Sequence, residues 1–269
     1  MSELYSKGFS HSAINTARSA ISSVLFIREA KGIGTDKLIC RIVKGAFELR
    51  TPMSHHKDVW DVNILLNHFQ KMPENTKLDL KSLTKKLCAL MMLITAQRVQ
   101  TLHTFKLSSM KIDSAGCTIK IVDKLKHTRQ GKHQDDLQLF KFPNEKLCVM
   151  NCLHEYIART KYLRRGEDLL FLCYGKTHTP ASKDTLARWL KDILQDAGIT
   201  DFTAHSFRSA SSSAMAEAGV SVQDIMKTAG WTNASTFHKF YYKPVIQKNK
   251  NTCRNKTNTL FEYFGNKKM

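Results

Sequence analysis

Residues 203–242 read TAHSFRSASSSAMAEAGVSVQDIMKTAGWTNASTFHKFYY. This segment places His205 and Arg208 three residues apart, follows them with Gly230–Trp231, and ends on the pair Tyr241–Tyr242. A spacing of three is close to one helical turn, so His205 and Arg208 are predicted to project from the same side of a helix start. From there both side chains could reach a single anion.

The ordered set AHSFR, AGW and FYY resembles the C-terminal signature of the tyrosine recombinases, or integrases. In that family a His-x-x-Arg, a Gly-His or Gly-Trp and a nucleophilic tyrosine follow in this order. The wording AHSFRSA and AGWTNASTFHKFY is most similar to recombinases of DIRS-like eukaryotic retroelements and related eukaryotic mobile elements. Each motif alone has an ordinary reading, a solvated helix face or a turn before a core aromatic. The family requires two further catalytic positions upstream, so the resemblance can be tested within the chain.

The charge of the chain points to a polyanionic partner. Lys and Arg number 42 against 23 Asp and Glu, which gives a net charge of +19 spread along 269 residues. Nucleic acid is the commonest partner of such a protein, although anionic lipid or a ribosomal setting is also compatible. The sequence lacks a run of eighteen apolar residues and a secretory start, so we expect no membrane association and an intracellular protein. The resemblance implies a nuclear location.

The cysteines predict neither a disulfide framework nor a metal site. There are seven of them, with no Cys-x-x-Cys pair, and Cys148, Cys152 and His154 are one ligand short of a structural zinc site. The sequence also has no P-loop and no acidic cluster typical of two-metal nucleases. We therefore expect no cofactor and no metal.

The predicted fold class is mainly α with a small antiparallel β-sheet (α+β). Helices are predicted over Ser12 to Lys31 and Asp36 to Phe47. The resemblance implies that residues 1–51 are a SAM-like core-binding segment, shorter than is usual in the family, which clamps the opposite face of the DNA. Residues 52–242 would then be the catalytic domain and residues 243–269 a basic tail.

The middle of the chain supplies the first upstream position. Helices are predicted over Trp60 to Phe69 and Leu78 to Leu102, and TAQRVQTL within the latter resembles the first arginine motif of the family. The resemblance identifies Arg98 as the catalytic arginine, delivered by the last turn of a buried helix. Residues 107–112, 118–122 and 137–142 then predict a three-stranded antiparallel sheet.

The loop DKLKHTRQGKHQDD between the last two predicted strands supplies the second upstream position. It can be read as a solvated basic turn. The resemblance instead implies that one lysine of this hairpin reaches the scissile phosphate, and it favours Lys126, with Lys124 and Lys132 as alternatives.

Two more helices are predicted, from Asn144 to Tyr162 and from Ser182 to Ala197, the second capped by Ser182 and stopped at Gly198. The stretch THTPASKDTLARWLKDIL resembles the retroelement recombinases, in which this helix lies on DNA. The predicted DNA-binding residues are Lys124, Arg129, Lys132, Lys176, Lys183, Arg188 and Lys191.

The resemblance implies a role for each catalytic residue. Two guanidiniums, of Arg98 and Arg208, would bind the phosphate through planar forks of donors. The remaining predicted roles are phosphate contact and proton acceptance by His205, protonation of the leaving 5′ oxygen by Lys126, an indole hydrogen bond from Trp231, and nucleophilic attack by Tyr241. Tyr242 stays open as the nucleophile, because the spacing common in the family falls on Phe240.

These residues predict a site-specific DNA recombinase, or integrase, that forms a 3′-phosphotyrosine on double-stranded DNA as a homo-oligomer, a tetramer on synapsed sites. Two alternatives are a type IB topoisomerase-like enzyme and a domesticated transposon protein that binds DNA without cutting it. The tail contains residues spaced like those of a sliding-clamp-binding peptide. Two other interpretations of the tail are docking on a neighbouring protomer and packing on the chain's own core. That peptide comprises Thr257, Leu260, Tyr263 and Phe264.

Overall fold

Helices dominate the computed structural model, which describes residues 1–29, 33–51, 58–123, 135–231 and 245–246. The chain divides into two units, Met1–Lys57 and Asp58–Met269. The described part of the first unit contains helices α1 (Ser2–Ser6), α2 (His11–Glu29) and α3 (Lys37–Leu49). Asp36 caps α3 by accepting hydrogen bonds from the backbone amides of Leu38 and Ile39.

The second unit combines helices with two small sheets. Its elements are β1 (Val59–Trp60), α4 (Val62–Lys71), α5 (Leu80–Thr95), α6 (Val99–His103), β2 (Met110–Ile112), β3 (Gly116–Ile119), β4 (Leu137–Phe140), α7 (Val149–Thr160), α8 (Lys183–Asp196), α9 (Ser206–Glu217), α10 (Val222–Ala229) and β5 (Val245–Ile246). The predicted fold class is confirmed. None of the described helices is both long and apolar enough to cross a membrane.

Helix α5 is the centre of the second unit. From Leu83 to Thr95 every residue is buried, and α7, α8 and α9 pack around it. A helix without a solvent-facing side carries apolar residues around most of its circumference. The two lysines that interrupt it are both satisfied: Lys85 pairs with Asp192 at 3.1 Å, and Lys86 donates to Asn75 Oδ1 at 2.8 Å.

The predicted continuous helix from Leu78 to Leu102 is wrong. Helix α5 ends at Thr95, Ala96 adopts a left-handed conformation with φ of 47°, and Arg98 is the residue before α6. Arg98 therefore lies in the break beyond the buried helix and not in its last turn. Alanine does not break helices by itself, so the cause lies elsewhere in the fold: the Ala96 carbonyl accepts a 2.6 Å hydrogen bond from Arg208 Nη1.

The three-stranded antiparallel sheet is confirmed, with the order β2-β3-β4. A Cβ at Gly116 would lie 2.0 Å from the Leu139 carbonyl oxygen, so glycine is required where β3 meets β4. Trp60, predicted to begin a helix, lies instead in β1, which pairs in parallel with β5. Strand β5 belongs to the segment predicted as a tail.

Four cysteines of the second unit are core residues. Cys88, Cys117, Cys148 and Cys152 are buried free thiols, and burial raises the pKa of Cys152 to about 12. A thiol with so high a pKa is a poor nucleophile and a poor metal ligand. Within the described ranges no group of three or more His, Cys, Asp or Glu side chains is arranged to hold a metal ion.

At Ala96, whose backbone is left-handed, valine should lower the free energy of unfolding much more than glycine does. Ala96→Val places a β-branched side chain at positive φ in a fully buried site, and we expect it to lower the free energy of unfolding by roughly 3 kcal/mol. Ala96→Gly relieves the conformation but loses a buried methyl group, so its effect should stay within about 1 kcal/mol. Chemical denaturation of the full chain measures both. Equal effects of the two substitutions would contradict the role given to the backbone conformation.

Candidate active site

A basic cleft of about 470 Å³ lies where the break between α5 and α6 meets α8 and the start of α9. None of the described residues that line it is acidic. The lining residues are Met92, Gln97, Arg98, Val99, Lys183, Ala187, Arg188, Lys191, Thr203, Ala204, His205 and Arg208. A concave surface with this charge favours a phosphate-bearing ligand.

Arg208 is the buried centre of the cleft, with 1% of its surface exposed. Its Nη1 donates to the Ala96 carbonyl at 2.6 Å, and its Nη2 donates to the Ala229 carbonyl at 2.8 Å. These carbonyls lie at the C-terminal ends of α5 and α10, where the helix dipole favours a cation. One guanidinium therefore ties three helices together.

Gly230 and Trp231 complete the surroundings of this guanidinium. Gly230 has φ of 69° and ends α10 in the left-handed conformation, and the Trp231 amide then donates to the Met226 carbonyl at 2.8 Å. This turn places the Trp231 ring 4.4 Å from Arg208 Cζ, in a cation–π contact. The predicted contact between the indole N–H and a phosphate stays a prediction.

Arg98 and His205 occupy two other helix starts at the same cleft. Arg98 is partly buried, and its carbonyl accepts hydrogen bonds from the amides of Thr101 and Leu102 at the start of α6. His205 is exposed and directly precedes α9. The structure thus brings Arg98, His205 and Arg208 to one cleft.

Gln97 is a lining residue that the sequence analysis missed. It is fully buried beside Arg98, and its Nε2 donates to the Thr228 carbonyl near the end of α10 at 2.6 Å. The bond fixes the break between α5 and α6 against α10. Its partner lies 131 positions away in the chain, and no local signal could have indicated it.

Helix α8 supplies the outer basic side of the cleft. Lys183, Arg188 and Lys191 are exposed and line it, while Lys176 lies in the preceding loop and is not a lining residue. Ser182 caps the helix by accepting from the Thr185 amide, as predicted. The remaining predicted site residues lie outside the described residues, so their roles stay predictions: Lys124, Lys126, Arg129, Lys132, Tyr241 and Tyr242.

The two cleft arginines should differ in their effect on stability. Arg208→Ala leaves two carbonyls without a buried charged donor, and we expect a loss of about 3 kcal/mol or more in the free energy of unfolding. Arg208→Lys should give an intermediate loss, because an ammonium group cannot reproduce the fork of a guanidinium. Arg98→Ala, at a partly exposed site, should cost less than about 1 kcal/mol.

Thermal and chemical unfolding of the three variants beside the wild type makes this comparison. A loss for Arg98→Ala as large as that for Arg208→Ala would contradict the assignment of Arg208 as the tie between helices.

Comparison with known proteins identifies the family of this fold. The profile of the Phage integrase family matches residues 61–248, which is more than half of the chain. No curated protein matches the chain at the level of significance applied.

Several solved structures share the fold. The Tn1549 transposon integrase in complex with circular intermediate DNA has a TM-score of 0.55 at 13% identity, over 91% of this chain and 79% of that one. The XerH site-specific recombinase in a post-cleavage complex has a TM-score of 0.52 at 13% identity, over 86% and 68%. The XerA recombinase has a TM-score of 0.50 at 16% identity, over 87% and 78%. At such identities the likeness concerns the fold alone.

The family profile and the shared fold agree with the basic cleft at the break of α5. The chain belongs to the Phage integrase family, the tyrosine recombinases.

Proposed function

We propose that this protein is a site-specific DNA recombinase that cleaves and rejoins DNA strands through a covalent 3′-phosphotyrosine. The observation that carries the proposal is the convergence of Arg98, His205 and Arg208 on one cleft without acidic lining residues in its described part. The family supports recombination as the reaction class. We further propose that the enzyme integrates a mobile element, of the DIRS-like eukaryotic kind that its motifs resemble, in the nucleus.

The cleft suits one scissile phosphate together with the phosphates beside it. Guanidiniums bind phosphate oxygens through parallel N–H donors, which is the role assigned to Arg98 and Arg208. Lys183, Arg188 and Lys191 follow one side of the cleft along α8 and would contact the flanking backbone. Contacts of that kind position the DNA without reading its sequence.

The reaction would proceed by direct displacement at phosphorus. The phenolic oxygen of Tyr241 forms a bond to phosphorus, and the bond from phosphorus to the 5′ oxygen breaks. His205 accepts the phenolic proton, and Lys126 donates a proton to the leaving oxygen. Attack by a 5′ hydroxyl on the phosphotyrosine reverses these steps and joins the strands. The exchange consumes no nucleotide, because the covalent intermediate retains the phosphodiester energy.

The proposed substrate is double-stranded DNA, bound by a homo-oligomer. The Tn1549 integrase and XerH were solved with DNA, and their architecture supports the same ligand here. We propose a tetramer on two synapsed sites. The sliding-clamp-like peptide lies outside the described residues and stays a prediction.

Recombination is favoured over the two alternatives. A type IB topoisomerase would use the same chemistry, but the family model that matches is that of the phage integrases, and the solved structures compared above are integrases and recombinases. A domesticated protein that only binds DNA would not need the cationic cluster of Arg98, His205 and Arg208 around one point.

The covalent intermediate provides the direct test. Incubated with nicked or supercoiled DNA and then denatured, the wild-type protein should yield a DNA–protein adduct, and Tyr241→Phe should abolish it because it lacks the nucleophilic oxygen. Tyr242→Phe is the matched control and should retain the adduct. The reverse pattern would make Tyr242 the nucleophile. Absence of an adduct from the wild type under all these conditions would contradict the proposed function.

Arg98 should act on the rate of cleavage and not on DNA affinity. Arg98→Ala removes transition-state stabilisation at one phosphate, and we expect cleavage to fall by about a hundredfold or more with DNA binding nearly unchanged. Arg188→Ala is the comparison: affinity should fall, and the slope of log affinity against log salt should decrease by about 1. Fluorescence anisotropy and single-turnover cleavage separate the two effects. A proportionate loss of binding and cleavage in Arg98→Ala would show an ordinary phosphate contact.

A further inference from the structure

Trp60 connects strand β1 to the turn that carries His205. Its side chain is almost fully buried, and its indole N–H donates to Ser206 Oγ at 2.8 Å. Ser206 Oγ in turn donates to the Thr203 carbonyl at 2.7 Å. The N–H, the hydroxyl and the carbonyl therefore form one directed chain of hydrogen bonds. It ends on the turn whose residues 203–205 line the cleft.

The ring of Trp60 also holds the first turn of α9. It packs edge-on against Phe207, with ring centroids 5.1 Å apart and an interplanar angle of 75°. Phe207 is fully buried and lies next to Arg208 in the chain. The polar and apolar contacts of Trp60 thus fall on Ser206 and Phe207, the two residues between His205 and Arg208.

The backbone of Trp60 lies in β1, the strand that pairs with β5. Val59 pairs with Val245 and Trp60 pairs with Ile246, in parallel. Strand β5 follows the segment 232–244, which carries both candidate nucleophiles, Tyr241 and Tyr242. Trp60 therefore contacts two elements. One is the start of α9, which carries the proposed phosphate-binding residues, and the other is β5, which follows the segment with the two candidate tyrosines.

We propose that Trp60 is a positioning residue that couples strand β5 to the start of α9 and thereby holds His205 and Arg208 in place at the cleft. Its catalytic consequence rests on the proposed function, whereas the coupling of β5 to α9 can be measured in the protein alone. Attack at phosphorus requires reacting atoms in contact and in line, and a shift of about 1 Å can reduce the rate by about a hundredfold. Loss of one hydrogen bond at this position should thus affect the rate far more than DNA affinity.

Three substitutions test the hydrogen bond. Trp60→Phe keeps an aromatic ring against Phe207 and removes the donor. Ser206→Ala removes the acceptor together with its own bond to the Thr203 carbonyl, and Ser206→Thr retains a hydroxyl. Trp189→Phe is the matched control, since Trp189 is also a buried tryptophan and stacks on Tyr174 at 5.0 Å, away from Ser206 and Phe207. Ser206→Ala keeps the test decisive if Trp60→Phe reduces folding, because it retains the Trp60 ring and its contact with Phe207.

Single-turnover adduct formation and DNA affinity are the first two measurements, and hydrogen exchange in the absence of DNA is the third. We expect Trp60→Phe and Ser206→Ala to slow adduct formation by about ten- to a hundredfold at unchanged affinity, with no further loss in the double variant. Ser206→Thr should restore the rate, and Trp189→Phe should not alter it. Exchange should increase at residues 203–208 and at 245–246 in the two slow variants alone.

The outcomes separate this inference from the proposed function. Wild-type rates in Trp60→Phe and Ser206→Ala, or an increase of exchange confined to one of the two segments, would overturn the role of Trp60. A wild-type protein that forms no adduct would overturn the proposed function, and the exchange measurements would still decide whether Trp60 couples β5 to α9.

Discussion

The second unit is organised around one buried guanidinium, that of Arg208. A charge in a protein interior requires polar partners, and two of those of Arg208 are the Ala96 and Ala229 carbonyls. Those carbonyls are available because α5 and α10 both end beside the guanidinium, each in a left-handed residue, Ala96 and Gly230. The stacked ring of Trp231 covers the same group. The positions of three helix ends thus follow from the requirement to bury and bind one arginine.

Helix α9 must approach α5 closely for Arg208 to reach these carbonyls, and its composition permits this. Residues 209–214, SASSSA, have short side chains and are all buried. The serine hydroxyls are accommodated by backbone carbonyls: Ser211 donates to Leu93 on α5, and Ser212 donates to Arg208 within α9 at 2.8 Å. A tract that resembles a polar linker in the sequence is therefore a tight helix interface.

Local signals predicted the fold wherever local chemistry determines it, as in the cap at Ser182, the three-stranded antiparallel sheet and the fold class itself. They failed where a distant residue decides the conformation. Ala96 and Gln97 carry no helix-breaking signal, and the break is fixed by Arg208, which lies 112 positions later. The local pattern predicts a helix at Trp60, because the strand partner that decides its conformation, Ile246, lies far along the chain. The motif order brought Arg98, His205 and Arg208 into one predicted site, whereas Gln97 and Trp60 act through remote partners and were missed.

The proposed nucleophile Tyr241 lies at unequal chain distances from the described residues on either side of it. Upstream, Trp231 contacts Arg208, but Tyr241 lies ten positions further along the chain, and an extended chain of that length spans roughly 35 Å. Downstream, Val245 in β5 lies four positions after Tyr241, and an extended chain of that length spans roughly 14 Å. The connection to β5 is therefore the shorter of the two. Among the described residues, β5 pairs with β1, so the near end of this connection is anchored by a strand of two residues, Val59 and Trp60.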